Sequence, residues 1–182
     1  MLVDLAARAG AAVGREWVLL LRAVNLGRTN KLAMADLREL LEQLGHTDVK
    51  TVLNSGNALF TSSRRSSAAL AREVEDGLRA RGLDVRACVR TQAQLQAALD
   101  ALPADLPEAS YVLVTVLFDE PVWLAPVLDH VWPAEQVRAG DGVLYLAYGQ
   151  AVHSSKLTAG WLEKRLGVAT TSRTPATLRK LL

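Results

Sequence analysis

Residues 17–62 read WVLLLRAVNLGRTNKLAMADLRELLEQLGHTDVKTVLNSGNALFTS. The run WVLLLRAV, residues 17–24, is apolar without alternation, as expected of a strand buried on both faces. A polar loop follows, carrying Asn25, Asn30 and Lys31. Met34, Leu37, Leu40, Leu41 and Leu44 then recur at helical spacing, and Gly45 supplies the stop. TVLNSGNALF reads as strand, turn, strand, with Ser55-Gly56-Asn57 at the turn.

Working outward, Leu70, Val74 and Leu78 form the stripe of a second helix, with Ser67 as its N-cap and Gly82 near its end. LDVRACVR alternates as a fourth strand. The order over residues 17–90 is therefore β-α-β-β-α-β, the ferredoxin-like split βαβ pattern of an antiparallel sheet with helices on one face. Thr91 and Gln94 have capping-box spacing for a further helix, with Leu95, Ala98, Leu99 and Leu102 facing inward and Pro103 stopping it.

Residues 103–110, PADLPEAS, read as a connector. Beyond it the same order recurs without a repeat in the sequence itself: strand YVLVTVLF, a helix around 122–131, and a hairpin about Gly140-Asp141-Gly142. A helix capped by Ser154 or Ser155 carries Leu157, Trp161, Leu162 and Leu166. An extended tail precedes a last helix with Thr174 as N-cap and Pro175 at its first position. The expected fold is α+β, with two ferredoxin-like subdomains at 16–102 and 111–182 and an N-terminal extension at 1–15.

Composition agrees with a globular chain. Half of its 182 residues are hydrophobic, 22% are charged, and the formal charge is +2. That balance argues against a dedicated nucleic-acid binder. So do the first strand, which is almost wholly aliphatic with no stacking ring over Leu20 to Gly27, and the third, which offers only Phe60. The single Cys88 rules out an internal disulfide and a Cys-based cluster, and it reads as a buried structural thiol. His46, His130 and His153 lack metal-ligand spacing, so no metal site and no cofactor are expected. The four tryptophans read as core or packing residues. The start has no basic stretch and contains Asp4, and no run is long enough to span a bilayer, so a cytoplasmic protein is expected.

The string LLRAVNLGRTNKLAM, followed by LGHTDVKTVLNSGNALF, resembles the start of a bacterial family, domain of unknown function 1697. Arg22, Asn25, Gly27, Asn30, Met34, Leu37, Gly45, Val49, Thr51, Ser55, Gly56, Asn57 and Phe60 match its pattern. SSKL at 154–157 and LEKRLGVATTSR at 162–173 match later segments. The resemblance implies two ferredoxin-like α+β subdomains and no established activity. The chain departs from the family where Thr174 and Pro175 stand in place of an Asn-Trp pair, and where Arg28 replaces a glycine of the first loop.

The polar residues suggest a site for a small anionic ligand, with phosphorylated compounds among the candidates. Arg22 ends a buried strand, where a guanidinium needs an anion or an internal acid such as Asp36 or Asp48. Lys31, Lys156 and Arg173 would add charge. Asn25, Asn30, Ser55, Gly56 and Asn57 would orient the ligand, with Ser155 beside Lys156. Lys156 in a first helical turn would oppose the helix dipole unless an anion lay nearby. Each residue also has a structural reading: turn former, cap or internal ion pair. No catalytic triad is legible, and the alternatives are a non-catalytic interaction or oligomerisation module and weak nucleic-acid binding.

Overall fold

The computed structural model describes residues 14–26, 30–106 and 111–182. The expected extension at 1–13, the loop residues Gly27, Arg28 and Thr29, and the end of the connector at 107–110 lie outside the described residues. Two four-stranded antiparallel sheets with helices packed on them make an α+β protein.

The first sheet has strand order β2-β3-β1-β4, built from β1 (Arg15–Leu21), β2 (Thr47–Val52), β3 (Asn57–Ser62) and β4 (Ala87–Thr91). Helices α1 (Met34–Gln43) and α2 (Ser67–Ala80) cover one face. The apolar run of β1 is explained by burial on both sides. Trp17, Leu19 and Leu21 pack under α1 and α2, while Val18 and Leu20 point to the second sheet. Burying such side chains contributes about 1.5–3 kcal/mol each.

The second sheet has the corresponding order β6-β7-β5-β8, from β5 (Tyr111–Leu117), β6 (Glu135–Gly140), β7 (Val143–Tyr148) and β8 (Thr170–Arg173). Helices α4 (Ala125–Leu128) and α5 (Ala159–Leu166) pack on its outer face through Val127, Leu162 and Leu166. Between the sheets lies a shared core of Val18, Leu20, Cys88, Val114, Val116 and Tyr145. It also takes Leu95 and Ala98 from α3 (Gln92–Asp100), and Leu178 from α6 (Pro175–Arg179).

Several local expectations hold. Thr91 and Gln94 form the capping box of α3, and Thr174 caps α6 with Pro175 at its first position. Leu99 and Leu102 are only partly buried against the core. Four expectations are corrected. Ser66, not Ser67, caps α2 by accepting from the Ala69 N–H. The helix expected over 122–131 shrinks to one turn, Ala125–Leu128, because the polar Asp129-His130 pair and Pro133 interrupt its stripe. Thr158, not Ser154 or Ser155, caps α5, so Lys156 precedes that helix and does not oppose its dipole. Trp123 is 66% exposed, so it is not a core residue; Trp17 is 2% exposed.

Candidate functional site

Seven of the residues expected to form a site come together where the end of β1, the β2–β3 turn and β8 meet. Their polar side chains are hydrogen-bonded to one another, to backbone and, for Arg22, to Glu163 of α5. Arg22 makes a two-pronged pair with Glu163 of α5, Nε and Nη2 donating at 2.8 and 2.7 Å. The partner is thus an acid from the second half of the chain, not Asp36 or Asp48. Burial disfavours the charged Glu163, but hydrogen bonds from Arg22 and the Thr170 N–H outweigh it and hold the carboxyl below its ordinary range.

Arg173 is the centre of this junction. Its Nε donates to Asn57 Oδ1 at 2.7 Å, Nη1 to Thr171 Oγ1 and the Ser172 carbonyl, and Nη2 to the carbonyls of Leu21 and Ser55. All five donors of a guanidinium are engaged. Burial pulls the group from 12.5 down to about 10, which leaves it charged at neutral pH.

The neighbouring residues hold the backbone. Asn57, fully buried, donates to the Val52 carbonyl and Ser55 Oγ. Gly56, at φ +73°, is required: a Cβ there would lie 2.4 Å from Val24 Cγ2 and 2.8 Å from Leu21 Cβ. Asn25, at φ 57°, ties Leu32 N–H and C=O to its side chain and also donates to the Asn54 carbonyl. Asn30, at φ 50°, donates to the Ala23 carbonyl at 3.4 Å.

The remaining three residues are elsewhere or free. Lys31 is exposed and borders a shallow depression with Asn25, Leu32, Ala33 and Asn54. Ser155 is buried, donates to Glu135 and accepts from the Leu157 N–H. Hydrogen bonding from Ser155, with lesser help from Gln150, keeps Glu135 ionised to lower pH than an ordinary glutamate. Glu135 begins β6, the edge strand opposite β8, which carries Arg173, so Ser155 is not part of the Arg173 junction. Lys156 is exposed beside Ser155.

A cleft of about 750 Å³ lies away from this junction, between the two sheets. Its first-half wall carries Arg15, Arg65 and Arg90, and its second-half wall carries Glu120 and Asp141. The N-terminal residues of α2 and α3 border it, including Ser67, Thr91 and Gln94, a setting that favours anions. Arg90 is anchored by donating to the carbonyls of Val89, Leu117 and Phe118. The floor is closed by Tyr145, whose hydroxyl donates to the Ala98 carbonyl at 2.7 Å. Trp17 also borders the cleft, and its buried indole N–H has no partner among the described residues.

None of the charged residues lining this cleft stood out in the sequence. The available signals were Arg64-Arg65 before the α2 cap and the second arginine of VRACVR beside the capping box. Neither differs from ordinary surface charge until the fold sets both opposite the Asp141-Gly142 turn. Among the described residues, no group of three or more His, Cys, Asp or Glu side chains is placed to hold a metal ion. No helix among them is long and apolar enough to cross a membrane.

Comparison with known proteins matches the chain to a family and to solved structures. A family model described as protein of unknown function (DUF1697) matches residues 15–145. A solved structure of the conserved bacterial protein SP0830 from Streptococcus pneumoniae superposes with a TM-score of 0.69 at 24% identity. It covers 93% of this chain and 97% of that one, a likeness of fold alone. No curated protein matches the chain.

Proposed function

This chain belongs to the DUF1697 family, and from that premise we propose that it is a binding protein for a small anionic ligand, taken up in the cleft between the two sheets. We read each half as a ferredoxin-like unit, a reading supported by the strand orders β2-β3-β1-β4 and β6-β7-β5-β8. The observation that carries the functional proposal is the gathering of three arginines without a carboxylate partner around one concavity. Arg22 and Arg173 are engaged internally. Arg15, Arg65 and Arg90 line one concave space, and none lies within 4.0 Å of a carboxylate among the described residues. Arginines held in a cleft recognise carboxylate or phosphate through planar paired donors.

A thermal-shift titration with inorganic phosphate and pyrophosphate tests this. Saturable stabilisation is expected, lost in Arg65→Ala/Arg90→Gln and retained in Arg22→Ala. Stabilisation that survives the loss of both cleft arginines would sink the assignment.

A second reading, a module that docks on another protein, is favoured by one patch. Val122, Trp123, Leu128 and Val131 are 69, 66, 39 and 88% exposed within ten residues. Concentration-dependent sedimentation of the chain, lost in Trp123→Ser/Val131→Ser, tests whether the partner is a second copy; a single monomeric species would exclude that.

A further inference from the structure

The cleft is lined by both signs of charge. Arg15 on β1 and Arg65 before α2 come from the first half and Glu120 after β5 and Asp141 in the β6–β7 turn from the second, while Arg90 on β4 reaches across to the end of β5. Among the described residues, no member of either set lies within 4.0 Å of an opposite charge. Arg15 instead stacks over Trp17, 5.2 Å from the ring centroid, and Arg90 is fixed on the carbonyls of Leu117 and Phe118. The acidic turn is held as well: the Leu117 N–H donates to the Gly142 carbonyl at 3.0 Å, tying the Asp141-Gly142 turn to the end of β5.

A cleft lined by arginines and by unpaired carboxylates is less favourable for a purely anionic guest than one lined by arginines alone. Such a guest gains from the arginines but brings its charge toward Glu120 and Asp141. A guest with an anionic group at one end and a protonated amine at the other satisfies both sets at once. Building on the proposed anion-binding reading, we infer that the ligand of this cleft is a small zwitterion. Its carboxylate or phosphate faces Arg65 and Arg90, and its ammonium group faces Glu120 and Asp141. The arginines supply the attraction, and the carboxylates set the preference, weakening the hold on a simple anion relative to a zwitterion without abolishing it.

Isothermal titration with two probes of equal length separates this inference from the reading beneath it. O-phosphoethanolamine ends in an ammonium group, and 2-hydroxyethyl phosphate ends in a hydroxyl. The zwitterion is expected to bind about tenfold more tightly, about 1.4 kcal/mol. In Glu120→Gln/Asp141→Asn that preference should fall to near unity, with the hydroxyl probe bound at least as well as before. Equal or weaker binding of the zwitterion by the unaltered protein, or a preference that persists in the double variant, would overturn the inference and leave anion binding standing. Binding of neither probe would overturn both.

Discussion

Arg173 Nε donates to Asn57 Oδ1 at 2.7 Å across 116 positions of sequence, joining the second sheet to the first. The same guanidinium gathers the carbonyls of Leu21 and Ser55, at the last residue of β1 and in the β2–β3 turn. This half-buried cation has carbonyl, amide and hydroxyl oxygens around it, not a carboxylate. Its hydrogen bonds offset its desolvation, and removing it leaves several acceptors without partners.

Arg173→Ala is therefore expected to destabilise the fold by about 3 kcal/mol or more. With Asn57→Ala it should show a coupling of about 1–2 kcal/mol in a double-mutant cycle. Urea denaturation provides the measurement. Additive effects would mean that the Arg173–Asn57 hydrogen bond contributes nothing to joining the sheets.

Gly56→Ala places a methyl against Val24 and Leu21 at a positive φ. The strain and the clash act together, and a loss of about 2–3 kcal/mol is expected. A thermal midpoint unchanged from that of the parent chain would contradict this.

His46 carries the clearest pH dependence. Its side chain is buried against Phe60, with ring centroids 4.7 Å apart and Arg64 and Glu73 nearby. Burial, aided by Arg64, lowers its pKa from 6.5 to about 4. The folded state thus excludes a proton that the unfolded chain accepts. The stabilisation is present above pH 6.5 and is lost as pH falls toward about 4, at up to about 1.4 kcal/mol per pH unit. Urea midpoints at pH 7.5 and 5 should differ in the parent chain and differ less in His46→Phe. An identical pH dependence in that variant would assign the effect to other groups.

The Ser155–Glu135 contact predicts a second acid-sensitive element. Glu135 is 6% exposed and accepts from Ser155, Gln150 and the Ala134 N–H. Its folded pKa is depressed, so its contribution is present above the ordinary glutamate value and is lost as pH falls below it. Ser155→Ala should cost about 1–2 kcal/mol at neutral pH and less at pH 3. An equal loss at both would show that the serine acts through packing.

Much of the fold was legible because local signals agreed with one another. The unbroken apolar run of β1 announced burial on both faces, and the Thr91–Gln94 spacing announced a capping box that the structure contains. The misplaced caps at Ser66 and Thr158 are choices among adjacent hydroxyl residues, settled by tertiary packing rather than by spacing. For the candidate site, sequence picked out residues that do cluster, Arg22, Ser55, Asn57 and Arg173 among them. It could not tell a charged side chain awaiting a ligand from one already satisfied, because Glu163 and the Leu21 carbonyl lie over a hundred positions from their partners. The cleft was illegible for the same reason. Arg15, Arg65, Arg90, Glu120 and Asp141 acquire a shared environment only when two sheets face one another.

The measurement that tests the central claim most directly is an amide ¹H–¹⁵N titration of the full chain with inorganic phosphate. The account predicts saturable shifts clustered at Arg65–Ser67, Arg90–Gln94 and Asp141–Val143, around the cleft arginines. Shifts clustered instead at Arg22, Asn25, Lys31 and Ser55–Asn57 would contradict it and return the site to the junction of the loops.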